Sequence, residues 1–144
     1  MATQHAALVT TDALVALLAA DGSLVGDGSV PAGGGWQDIP GESVFEAYVI
    51  VFPVGGATDG TLRNPDEMAA SVYQLSCVGA TRRQAEWLAD HHRNILLAST
   101  LTVTGRKVML VRFEAFLGTI REDVVGQPPI FQTVERYRIW TEPP

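Results

Sequence analysis

The chain has 144 residues, 47% hydrophobic and 18% charged, with ten Lys and Arg against sixteen Asp and Glu and a formal charge of −6. Those proportions describe one ordinary domain, spanning residues 1–144, and exclude a collagen, a coiled-coil array, a disordered tail and a multidomain enzyme. The charge is uneven, since residues 1–62 carry seven acids and no base and all ten bases lie from Arg63 onward, and a pI near 4.9 argues against a protein that grips nucleic acid by neutralising its phosphates.

The longest apolar run, Ala13 to Ala20, falls far short of the roughly 20 residues that a membrane-spanning helix needs. No basic stretch precedes an apolar core, so no secretory signal is expected either. Cys77 is the single cysteine, which rules out an internal disulfide and a cysteine-based metal site within one chain.

In chain order, the first element reads as a helix capped at Thr10 or Thr11, with Leu14, Leu17 and Leu18 on one face and Asp21-Gly22 ending it. Residues 21–43 then read as a Gly-rich loop with a short strand at Leu24-Val25, a tight turn at Asp27-Gly28 and room for one small hairpin. Gly33-Gly34-Gly35 is followed by Trp36 and not by a lysine, so the cradle of a P-loop is absent. From Val44 a β-branched and aromatic run predicts a central strand, covered on both faces and stopped by Pro53. Residues 54–68 read as a polar loop, and a second strand at about 70–78 places Tyr73, Leu75 and Cys77 on one face.

Thr81 with Gln84 forms a capping box for the strongest helix, residues 81–98, in which Ala85, Leu88, His92, Ile95 and Leu96 trace one face. Strands over 107–117 and 131–140 follow, joined by a loop holding Arg121, Glu122, Asp123 and Pro128-Pro129. Strands that can pair without a helical crossover make the class α+β: a mixed, largely antiparallel sheet of about four or five strands with two main helices packed on it.

No constellation for catalysis stands out. His91 and His92 are adjacent, so their rings diverge by about 100° on a helix and do not form an i, i+4 metal pair; His92 is expected to be a hydrogen-bonded core or interface residue. Cys77 lacks the neighbours that would activate a thiol, and no serine sits in a nucleophile elbow. The chain is therefore read as no enzyme, with no cofactor and no metal. Arg82-Arg83 opposes the helix macrodipole and Trp36 sits in the Gly-rich segment, so contacts with another subunit compete with solvated arginines and a local aromatic plug as explanations.

The order of several segments resembles the tail terminator proteins of long-tailed phages, the lambda-type family, particularly versions from phages of actinobacteria. The likeness lies in Asp27-Gly28-Ser29-Val30-Pro31 ahead of Tyr48-Val49-Ile50-Val51-Phe52, in Tyr73 to Gly79 leading into Thr81 to Asp90, and in Pro128-Pro129-Ile130-Phe131 before Val134 to Ile139. It covers most of the chain from about Leu24, and the insert from Gly33 to Glu42 departs from the pattern.

The resemblance implies a virion protein of the tail, assembled in the host cytoplasm, six copies of which form a ring at the head-proximal end of the tail tube. The ring stops tube polymerisation and offers a docking face to a head-tail connector or stopper protein, while DNA passes through its lumen without specific binding; no membrane is involved. On this reading Arg63 is a candidate contact to another subunit or to the tube, with Arg82, Arg83, Arg121, Glu122, Asp123 and Trp36 beside it. Asp27, Asp38, Glu42, Glu46 and Asp59 are candidates for facing the lumen or the neighbouring subunit. The alternatives are another neck component, such as a head-side completion or stopper protein, and, more distantly, a small monomeric ligand-binding domain or enzyme.

Overall fold

The computed structural model describes residues 6–39, 42–61 and 64–144. The elements run α1 (Ala6–Ala19), β1 (Leu24–Asp27), β2 (Gly35–Ile39), β3 (Glu42–Glu46), β4 (Tyr48–Thr61), β5 (Asn64–Gly79), α2 (Arg82–Ala98), β6 (Lys107–Glu122) and β7 (Ile130–Glu142). The main sheet has the order β1-β4-β5-β7-β6, with β1 parallel to β4 and every other pair antiparallel, while β2 and β3 form a separate two-stranded sheet. This is the expected α+β class. Among the described residues no helix is long and apolar enough to cross a membrane.

Strand alternation builds the core. Val49 and Val51 of β4, Tyr73, Leu75 and Cys77 of β5, and Tyr137 and Ile139 of β7 join Leu14 and Leu18 of α1 and Leu88, Ala89 and Leu96 of α2 in one buried cluster. On the opposite face Tyr48, Ile50 and Val78 pack with Phe45, Phe52 and Ile130, so β4 is covered on both sides as its apolar run predicts. Thr81 Oγ1 accepts from the Gln84 amide at 3.0 Å, and the Gln84 side chain accepts from the Ala80 amide at 2.8 Å, which fixes the start of α2.

Five boundaries differ from the sequence reading, each for a physical reason. Thr10 and Thr11 are not caps but buried residues inside α1; the Thr11 hydroxyl donates to the Ala7 carbonyl at 2.9 Å and meets the Tyr73 hydroxyl at 2.9 Å, so helix and core absorb its polarity. The Gly-rich segment 21–43 holds β1, β2 and the start of β3, with the expected turn at Gly28 in a left-handed conformation (φ 73°) and its amide bonded to the Val51 carbonyl at 2.9 Å. The run from Val44 is divided at Ala47, where the chain leaves the small sheet for the large one.

The fourth is the expected loop over 54–68, where both strands continue as a long hairpin. Pro53 does not end β4, because β1 pairs with β4 only from Tyr48 to Val51; beyond that point the proline occupies an edge where no amide is needed. Arg121 and Glu122 likewise belong to the end of β6 and not to the loop, leaving Asp123 just past it.

Candidate assembly interface

Four surfaces have the character of contacts to other chains. The first is the outer edge of β6. Among the described residues this strand of 16 pairs only with β7, leaving a row of backbone donors and acceptors unpaired along its other side. Met109, Leu110, Phe116, Leu117 and Ile120 are exposed along it, Phe116 and Ile120 by 54% each. Register shifts after Val108, Phe113 and Phe116 turn successive parts of the strand, so apolar side chains emerge on both faces. A long apolar edge of this kind is what a partner chain covers.

The second surface is the face of the sheet opposite the helices. Glu135, Tyr137 and Ile139 of β7 point to the helix side, so the alternate residues Arg136 and Arg138 point away from it. Arg112 of β6 stands directly opposite Arg138. Arg138 meets Glu114, with Nε and Nη2 at 3.0 and 2.9 Å from Oε1, and its guanidinium lies 5.7 Å from the Trp140 ring centre. Arg112 is exposed and has no ion pair among the described residues, and the enclosed Nε of Arg136 has no hydrogen-bond partner there. Lys107, Glu142 and Glu122 share this face at its two ends, so four cations stand against three carboxylates; Arg112, Arg136 and Arg138 cluster at its middle with Glu114, and like charges directly across a ladder repel. The β2–β3 hairpin covers only the other end of this face, through Phe45.

The third surface is acidic and lies at the opposite edge of the sheet. Asp12 of α1, Asp27 at the end of β1 and Glu46 at the end of β3 are exposed, and none has an ion pair among the described residues. Burial pushes the Tyr73 hydroxyl up from its ordinary value, and the charges of Asp27 and Asp12 push it the same way, so both carboxylates act on one point of the structure. The fourth is an arm. β5 pairs with β7 only from Ala69 to Gly79, so Asp59–Thr61 and Asn64–Met68 pair only with each other, in a two-stranded extension roughly 15 Å long. A free two-stranded hairpin is marginal in water, so such an arm gains by lying against another surface.

Each residue singled out from the sequence has a place. Trp36 packs edge-on against Phe45 at 5.2 Å, and its enclosed Nε1 has no partner among the described residues. Arg82 pairs with Glu86 at 2.9 Å one turn along α2, and Arg83 is exposed beside it. Arg121 pairs with Asp123 at 3.1 Å, both largely exposed, and Glu122 ends β6. Asp38, Glu42 and Asp59 lie on β2, β3 and β4, opposite Ser43, Ile39 and Met68, with side chains outside the description; Arg63 is outside the described residues altogether.

The groups that sequence reading weighed for chemistry are enclosed or paired. Burial pushes the Cys77 thiol far above its ordinary value. His92 is in the core as expected, but neither ring nitrogen has a hydrogen-bond partner among the described residues. Its neighbour His91 stacks on Trp87 and bonds Asp21 at 2.5 Å; the Ser23 and His91 hydrogen bonds hold the Asp21 carboxyl well below the usual carboxylate range. Among the described residues no three His, Cys, Asp or Glu side chains could share a metal ion.

A groove of about 390 Å³ between α2 and β6 is lined by Glu86, Arg93, Phe113 and Phe116 among others. At its floor Arg93 binds Glu135 through two hydrogen bonds of 2.9 and 2.8 Å, so the two charges neutralise each other. Sequence reading missed both this pair and the arginine face. The spacing of Arg136 and Arg138 does put them on one face of a strand, but the addition of Arg112 depends on a register set by three bulges.

No family model matches the sequence, and none of the curated proteins matches it. A similar solved structure is a chain from the virion of the native gene transfer agent (GTA) particle: it superposes with a TM-score of 0.61 at 19% identity, over 97% of this chain and 99% of that one. The two chains share a fold over essentially their whole length.

Proposed function

We propose that this protein is a structural component of a phage-like virion: a tail terminator, six copies of which form a ring on the head-proximal end of the tail tube. The ring ends tube growth and presents a face to the connector or stopper protein of the head. The observation that carries this reading is the whole-chain likeness in fold to a chain of the gene transfer agent virion, with 97% and 99% of the two chains aligned. The sequence resemblance to tail terminators points the same way.

The surfaces suit that role. A ring is built by rotation, so one patch of each copy meets a different patch of the next, and each copy therefore needs two unlike surfaces. The acidic α1–β1 edge and the apolar, arginine-bearing β6 side are such a pair. Arg63, Arg82, Arg83 and the Arg121–Asp123 segment remain the candidates for contacts to subunits, tube or neck.

The test is electron microscopy of the purified protein mixed with tail-tube subunits. Rings seated at one end of tubes, with tube growth arrested, are the expected result. Rings or monomers that leave growth unaffected but bind a head connector move the protein to the head side of the neck.

A further inference from the structure

We propose that the sheet face carrying Arg112, Arg136 and Arg138, with the apolar edge of β6 beside it, receives the acidic α1–β1 edge of a second copy of this chain. The inference rests on the ring reading above and names the surfaces that meet.

Three observations carry it. The first is charge complementarity within one sequence: residues 1–62 hold seven acids and no base, whereas three of the ten bases converge on one sheet face with Glu114 as their single paired carboxylate among the described residues. The second is vacancy on both sides of the proposed contact. Asp12, Asp27 and Glu46 are exposed without ion pairs among the described residues, and Arg112 stands equally unpaired across from Arg138. Opposing arginines on adjacent strands repel, and carboxylates placed between them would turn that cost into attraction.

The third is position. β1 and β6 are the two outer strands of one sheet, about 19 Å apart at four strand spacings. Unlike patches at opposite edges let every copy use both at once, and the contact propagates by rotation; a two-fold dimer would set each patch against itself, acid on acid and arginine on arginine. Exposed Leu110, two residues from Arg112, and exposed Ile120 further along β6 supply the apolar area that ion pairs at a rim do not. The acids Asp27 and Glu46 then face the neighbouring subunit and not the lumen.

The experiment uses the full chain and sedimentation velocity across a concentration series. Association is expected for the wild type, weakened at least about tenfold between roughly 0.1 M and 1 M salt, as the screening length falls from about 10 to 3 Å. Arg112→Glu should raise the dissociation constant about tenfold or more, and so should Glu46→Arg. The two in one chain should recover most of the loss, since each contact then has its charges exchanged; Asp27→Arg is the parallel rescue. All three substituted positions are exposed, and a melting temperature near that of the wild type verifies folding.

Assembly that ignores Arg112→Glu and both acid reversals overturns the inference while leaving the ring reading standing. So does a wild type that stays monomeric in solution but forms rings on tail tubes. A protein that is monomeric both alone and with tubes overturns the ring reading itself.

Discussion

Arg93→Ala should be among the most damaging single substitutions outside the aliphatic core. Glu135 is 1% exposed, and the Arg93 guanidinium supplies two of its hydrogen bonds, leaving the Tyr137 hydroxyl at 3.2 Å as the remaining side-chain partner among the described residues. Truncating the arginine strands a carboxylate in the core, which costs about 3–5 kcal/mol for a buried pair. The Arg93 side chain is itself 29% exposed, so water reaches part of the vacated space and the lower end applies. The guanidinium also lies 5.0 Å from the centre of the Phe113 ring, a contact worth about 0.5–1 kcal/mol. The sum is about 3–4 kcal/mol, or a fall of roughly 10–15 °C in melting temperature for a domain of this size.

Urea denaturation of Arg93→Ala, Arg93→Leu, Glu135→Leu and the double variant Arg93→Leu/Glu135→Leu is the assay, the last three forming the cycle, with an unchanged m-value as the check that two-state behaviour holds. The double variant should lose much less than the two single losses combined, because it leaves no charge unpaired. A loss below about 1 kcal/mol for Arg93→Ala, or strict additivity in the cycle, would refute the claim that this pair clamps α2 to β7.

The remaining predictions concern the core and Arg63. Burial pushes the His92 imidazole down from 6.5 to about 4, with the nearby His91 acting the same way and Asp21 opposing it. The unfolded chain therefore binds the proton more tightly, so stability is full above 6.5 and falls by about 3 kcal/mol as the pH drops to about 4. His92→Leu should flatten that part of a stability-versus-pH curve, and an unchanged slope would assign it to other groups. Cys77, buried with its thiol pushed up, should react with a thiol reagent only as fast as the protein unfolds; rapid labelling of the native chain would contradict its core position. Arg63→Glu should weaken assembly on tail tubes by tenfold or more while shifting the melting temperature by at most about 2 °C, and normal assembly would remove the contact proposed for it.

Local signals and long-range pairing divide what could be read from the chain. The Thr81–Gln84 box and the alternation of Tyr73, Leu75 and Cys77 are contained within a few residues, and both appear in the structure as read. Thr11 misled because its hydroxyl is satisfied partly by Tyr73, 62 residues away, a partner invisible to a search for caps. The 54–68 segment misled because Gly55, Gly56, Gly60 and Asn64-Pro65 carry the composition of a loop, although β4 and β5 pair through it as one hairpin whose end requires no third strand. Pro53 stops a strand only where both edges are paired, and strand order decides that.

The arginine face shows the same division at the candidate site. Arg136 and Arg138 are two apart and share a face by strand geometry alone, but Arg112 joins them only through the β6–β7 register. The acidic half was plain in the sequence as a charge count; that Asp12 and Asp27 lie at the edge opposite β6 was not, since the order β1-β4-β5-β7-β6 is a property of the folded sheet.

The most direct test of the central claim is negative-stain microscopy of particles assembled without this protein, scoring tail length and head attachment together. Overlong tails detached from filled heads are the expected result. Tails of normal length joined to heads in infectious particles would contradict it.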